Sequence, residues 1–174
     1  EINRGNLSTI LGELIMALEK RGQTISLQYA KHDDAPFSIP KNLWIIGTMN
    51  TADRSIALVD YAIRRRFRFM TLRPSESAIG SYYDGVKDDR ANIARELLNE
   101  VNGLFSADNE HYRVGHSYFM VGKELDFASW KSAMQRKVEY EVVQLLNEYQ
   151  TEGIISGDKA DLIKKLNAII DRSE

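Results

Sequence analysis

Apolar residues recur at three- and four-residue steps through Leu7, Ile10, Leu11, Leu14, Ile15 and Leu18, which predicts a helix with a single apolar stripe packed against something flat. Gly22 supplies its stop. The period then changes. Ile25, Leu27 and Tyr29 alternate with Ser26 and Gln28, and after the polar Lys31-His32-Asp33-Asp34 comes Phe37-Ser38-Ile39, the pattern of a hairpin with a loose tip. Leu43-Trp44-Ile45-Ile46-Gly47 is apolar on both faces and predicts a strand inside a parallel sheet covered on both sides. Ser55 can cap a helix running through Ile56, Val59, Ala62 and Ile63 to Arg66. Phe67, Phe69 and Thr71 then alternate with Arg68, Met70 and Leu72, which predicts a second strand.

Beyond Arg73-Pro74-Ser75 the pattern is almost wholly helical. Ile93, Leu97, Leu98, Val101 and Leu104 predict one helix, and Trp130, Met134, Val138, Val142, Leu145 and Leu146 a longer one. Leu162, Ile163, Leu166, Ile169 and Ile170 predict a third, capped by Asp158. Between the first two, residues 112–121 read as extended. The expected architecture is therefore α/β over residues 1–75, followed by a mainly helical region over residues 76–174.

Charge sharpens this division. Residues 1–75 carry 11 Lys+Arg against 7 Asp+Glu, whereas residues 76–174 carry 12 against 18, so the sign of the net charge reverses at the predicted boundary. Neither part is basic enough to argue for nucleic-acid binding from charge alone. The composition, 43% hydrophobic and 28% charged with 3 Pro, excludes disordered, collagen-like and low-complexity classes. With 0 Cys, disulfides, thiolate zinc sites and cysteine nucleophiles are excluded as well. His32, His111 and His116 have no metal-ligand spacing. The longest apolar runs are far too short to span a bilayer, and the expected location is the cytoplasm.

Three segments carry candidate chemistry. Gly47-Thr48-Met49-Asn50-Thr51-Ala52-Asp53-Arg54-Ser55 leaves the end of the first predicted strand, where ligands sit in open α/β sheets. Asn50 there can orient a water or a phosphate oxygen, because an amide offers a donor and an acceptor without a charge to desolvate. Alternatively, Asn50 and Asp53 close a turn and cap the following helix. Arg64-Arg65-Arg66 ends that helix; successive helical residues lie about 100° apart, so at most two can address one ligand. Cations at a helix C-terminus complement its dipole, and that is the plainer role. The other is a guanidinium presented to nucleotide phosphates across a subunit interface. The third segment is Glu1-Ile2-Asn3-Arg4, uninformative by itself.

Taken together, Glu1-Ile2-Asn3-Arg4-Gly5-Asn6, Met49-Asn50-Thr51-Ala52-Asp53-Arg54-Ser55, Asp60-Tyr61-Ala62-Ile63-Arg64-Arg65-Arg66-Phe67 and Gly115-His116-Ser117-Tyr118-Phe119 resemble, in order, the McrB family of GTP-dependent AAA+ motors from 5-methylcytosine-specific restriction systems. The resemblance implies a partial AAA+ (P-loop NTPase) core holding the later strands of a parallel sheet, followed by a helical lid. It implies that Glu1 is the Walker B glutamate that polarises the attacking water, and that Asn50 is the sensor 1 residue that positions it. Arg65 and Arg66 match the arginines that reach a neighbouring protomer's nucleotide, with Arg66 the first choice as finger. Asp53 and Arg54 belong to the signature loop at that interface, and Arg113 is either a sensor 2 analogue or a surface ion-pair partner. The implied cofactors are GTP and Mg²⁺; the implied partners are further copies in a ring, a McrC-like nuclease subunit and, through the assembly, DNA, with no membrane.

The departures from the family pattern matter equally. No Gly-x-x-x-x-Gly-Lys-Ser/Thr run occurs, the only Gly-Lys pair being Gly122-Lys123, and no Walker B aspartate precedes Glu1. The chain is accordingly expected to be the C-terminal piece of a longer motor that, by itself, neither binds nor hydrolyses GTP and holds no metal. Two other expectations compete: an ATP-hydrolysing MoxR-like or dynein-related remodelling factor, and a non-catalytic scaffold that kept the subunit interface and lost its nucleotide site.

Overall fold

A helix needs only its own backbone to satisfy its N–H and C=O groups, whereas a strand needs a neighbour, and that asymmetry governs which expectations hold. The computed structural model describes residues 1–31, 35–50 and 61–171. They divide into two compact units, Glu1–Thr71 and Leu72–Glu174.

In the first unit, the apolar stripe forms two short helices, α1 (Leu7–Leu11) and α2 (Leu14–Glu19), in place of one. The break falls at Gly12, whose φ of 46° lies in the left-handed region that favours glycine. Asn6 caps α1 by accepting from the Thr9 N–H at 3.1 Å. The expected hairpin is reduced to one antiparallel bridge between Ile25 and Phe37, with the Ile25 N–H donating to the Phe37 carbonyl at 2.8 Å. A single helical turn, α3 (Tyr61–Arg64), carries the described part of the helix expected to end at Arg66. Its expected cap, Ser55, lies outside the described residues.

The expected α/β core with the later strands of a parallel sheet is not present: among the described residues there is no strand and no sheet. Residues 43–47 form no regular element, and Trp44 is 85% exposed and Ile46 89%. Their backbone contacts are local or to side chains: the Leu43 N–H donates to the Pro40 carbonyl at 3.2 Å, and the Arg21 guanidinium donates to the Leu43 carbonyl. Two-sided apolarity makes a sheet strand only when neighbouring strands saturate its polar groups, and no described segment does so. The alternation over residues 67–72 fails for the same reason; Met70 and Leu72 are exposed, and Phe69 lies under the Arg64 guanidinium at 5.4 Å.

The second unit is a closed helical assembly. It contains α4 (Glu76–Tyr82), α5 (Arg90–Asn102), α6 (Phe127–Lys137), α7 (Val143–Thr151) and α8 (Lys159–Ile170). Asp158 caps α8 by accepting from the Ala160 N–H at 2.8 Å, and Ser75 caps α4. A wide π turn over Val138–Val142 joins α6 to α7. Trp130, Met134, Val138 and Val142 recur every four residues, so an α-helix of about 3.6 residues per turn would rotate them progressively off one face. The wider turn takes up part of that drift, and all four are buried.

Residues 112–121, expected to be extended, instead form the end of a 3₁₀ turn over Ala107–Tyr112 and a second over His116–Phe119. Side chains, not a sheet, tie this segment down. Asn102 clasps Val114 from both sides, accepting from its N–H at 2.7 Å and donating to its carbonyl at 3.0 Å. The buried Tyr83 hydroxyl accepts from the Val121 N–H at 2.8 Å and from the Trp130 indole at 3.1 Å, with the Phe119 and Val121 carbonyls in reach of its own proton. Burial pushes the Tyr83 phenol above its ordinary pKa. Arg90, 3% exposed, forks onto Asp88 at 2.6 and 2.5 Å, donates to the Lys123 and Leu125 carbonyls, and lies over the Trp130 ring.

Candidate functional site

Of the residues singled out for chemistry, Glu1, Asn50, Arg65 and Arg66 lie in the described part of the first unit, and Arg113 lies in the second. Asp53 and Arg54 fall outside the described residues.

The start of the chain and the segment entering Asn50 run side by side. The Ile2 N–H donates to the Thr48 carbonyl at 2.8 Å, and the Glu1 amino group donates to the Thr48 hydroxyl at 3.3 Å. Gly47 permits this approach: a Cβ there would stand 2.8 Å from the Ile2 side chain. Residues far apart in sequence thus close to a backbone hydrogen bond, two positions before Asn50. The Glu1 carboxylate is exposed and paired with Arg4 one turn on.

The three arginines, at and just beyond the end of α3, point to different surroundings. The Arg64 guanidinium covers the Phe69 ring, Arg65 is exposed, and Arg66 turns inward. Arg66 is paired with Glu19 at 2.8 Å and donates back to the Ala62 carbonyl of α3 at 2.8 Å. Its Nε is buried and has no hydrogen-bond partner among the described residues. Glu19 was not legible as part of this site. It ends the α2 stripe, and neither spacing nor periodicity links it to a residue so far along the chain.

In the second unit Arg113 pairs with Glu110 at 3.6 Å, and the same carboxylate oxygen accepts from Arg73 at 2.6 Å. This ion pair is one of its two expected roles. His116 accepts the Ser75 N–H through Nδ1 at 3.2 Å, so the Gly115-His116-Ser117 motif anchors the residue that caps α4. Among the described residues no group of three or more His, Asp or Glu could hold a metal ion. The described residues thus do not by themselves supply a Mg²⁺ site. No described helix is long and apolar enough to cross a membrane.

Comparison with known proteins places these features. Residues 93–154, from within α5 to the end of the α7 region, match the family described as "McrB, alpha-helical lid domain". The Type IV methyl-directed restriction enzyme EcoKMcrB subunit of Escherichia coli K12 is 36% identical over 165 residues, covering 86% of this chain and 35% of the relative. The Type II restriction enzyme BsuMI component YdiS of Bacillus subtilis 168 is 28% identical over 97 residues, covering 47% of this chain and 28% of the relative. The chain therefore spans about a third of the length of the curated relatives it matches. No solved structure matches it significantly. The chain is McrB-like: its residues 93–154 match the McrB α-helical lid family, and 86% of it aligns with the EcoKMcrB subunit.

Proposed function

We propose that this chain is part of a GTP-hydrolysing motor subunit of a methyl-directed restriction system, with each active site completed by a neighbouring protomer in a ring. The observation that carries this is the 36% identity over 86% of the chain to a restriction-enzyme subunit, together with the lid match. The Ile2–Thr48 backbone hydrogen bond supports it from geometry, because it brings the segment that carries Glu1 to the stretch of chain that enters Asn50.

In this mechanism the Glu1 carboxylate takes up a proton from the attacking water while the Asn50 carboxamide fixes that water's orientation. Arg66, with Arg65 beside it, extends to the phosphates bound by the next protomer and stabilises charge as the γ-phosphoryl group departs. Asp53 and Arg54 organise the loop at the same interface. Nucleotide with Mg²⁺ is supplied to the site by the full-length protein, and a McrC-like nuclease and DNA are its working partners. ATP in place of GTP is the competing substrate.

Turnover by the full-length protein with GTP and ATP side by side tests the assignment: GTP is hydrolysed and ATP is not, and ATP preference would overturn it. Arg66→Ala should lower turnover by about 10³-fold or more while leaving nucleotide binding intact. Unchanged turnover would return residues 64–66 to their helix-dipole role.

A further inference from the structure

A finger must present a free guanidinium edge, and Arg66 does not have one. Its three nitrogen positions are accounted for within its own protomer: one on Glu19 at 2.8 Å, one on the Ala62 carbonyl at 2.8 Å, and Nε buried without a partner among the described residues. Bidentate recognition of a phosphate needs two parallel N–H donors on one edge of the fork. Each edge here is blocked by an internal contact or by burial. The side chain is only 19% exposed, whereas Glu19 is 53% exposed.

Resting on the finger role proposed above, we propose that Glu19 is a latch that stows Arg66 against its own subunit until assembly draws it out. Two features make the latch releasable. The ion pair is anchored on a half-exposed carboxylate, and such pairs are weak and screened. The stowed guanidinium also leaves a buried donor unsatisfied, which a phosphate across an interface would relieve. The nucleotide phosphates of the neighbouring protomer therefore compete with Glu19 for one cation. Glu19 acts on the rate through Arg66 and is a positioning residue, with no contact to the reacting atoms.

The test is steady-state hydrolysis by the full-length protein over a range of protein concentrations, comparing wild type with Glu19→Gln, Glu19→Asp, Arg66→Ala and the Glu19→Gln/Arg66→Ala double variant. Removing the carboxylate charge should raise kcat about two- to fivefold at protein concentrations where the ring is only partly assembled, with KM for nucleotide unchanged. Glu19→Asp, which keeps the charge on a shorter stem, should fall between Glu19→Gln and wild type. The double variant should match Arg66→Ala. If Arg66→Ala abolishes turnover but neither Glu19 variant raises it, the latch is overturned while the finger stands. If Arg66→Ala leaves turnover intact, the finger fails and the latch with it. A Glu19 effect confined to KM, or one that persists without Arg66, also overturns the latch.

Discussion

The two units of this chain solve the problem of burial in opposite ways. In Leu72–Glu174 the helices close on one another, and large side chains such as Trp130, Phe119, Leu97 and Leu166 are fully enclosed. In Glu1–Thr71 only Ala17, Ile39 and Ile63 are buried hydrophobics among the described residues, while Trp44, Ile46 and Met70 stand open to solvent. Helices carry their hydrogen bonds with them, so a lid can be complete within a hundred residues. Extended segments do not, and a chain rich in them stays open unless something pairs with their edges. The lesson is that the residues proposed for catalysis sit in the unit least able to organise itself, whereas the family match falls in the unit that can.

That contrast is breakable by mutation. The largest loss should come from Trp130→Ala, which empties the centre of the lid and strips the Tyr83 hydroxyl of a donor: about 3–5 kcal/mol, read as lost hydrogen-exchange protection across α5 and α6. Asp88→Asn should cost about 2–3 kcal/mol, because it removes the hydrogen-bonded counter-charge of the enclosed Arg90 guanidinium. The same pair sets a pH dependence. The Arg90 fork holds the Asp88 carboxyl below its usual range, so the folded state binds that proton less readily than the unfolded one. Its contribution is full above about pH 5 and lost as the pH falls below about 4, and Asp88→Asn should flatten that acid limb of the lid's stability curve. The smallest effect belongs to the other unit. Ile46→Ser should change stability by no more than about 0.5 kcal/mol in this chain, since the side chain is 89% exposed. A loss of several kcal/mol would mean that residues 43–47 are packed and that the contrast is wrong.

The same asymmetry explains what could be read in advance. The stripes of α5, α6 to α7 and α8 specify buried faces whatever surrounds them, and the Asp158 cap is a local rule, so all four were legible. The π turn at Val138–Val142 was hidden because a four-residue repeat scores well as ordinary helix. Residues 112–121 misled because 3₁₀ turns bury Tyr112 and Phe119 without a helical period. Leu43-Trp44-Ile45-Ile46-Gly47 misled for a deeper reason: hydrophobic pattern reports what a segment would do given neighbours, and a sheet is a property of the neighbours. The candidate site residues were named from motif order, which carries information that periodicity lacks. Their partners, Glu19 for Arg66 and Ser75 for His116, came only from the fold.

The central claim is that one hydrolytic site draws Glu1 from one protomer and Arg66 from the next. Mixing two full-length variants that are each inactive alone, Glu1→Gln and Arg66→Ala, tests it directly. In randomly mixed rings an intact glutamate meets an intact arginine at a fraction of the interfaces, so turnover should recover to roughly a quarter of the wild-type rate at equal amounts of each. A mixture as inactive as its components would contradict a site shared between subunits.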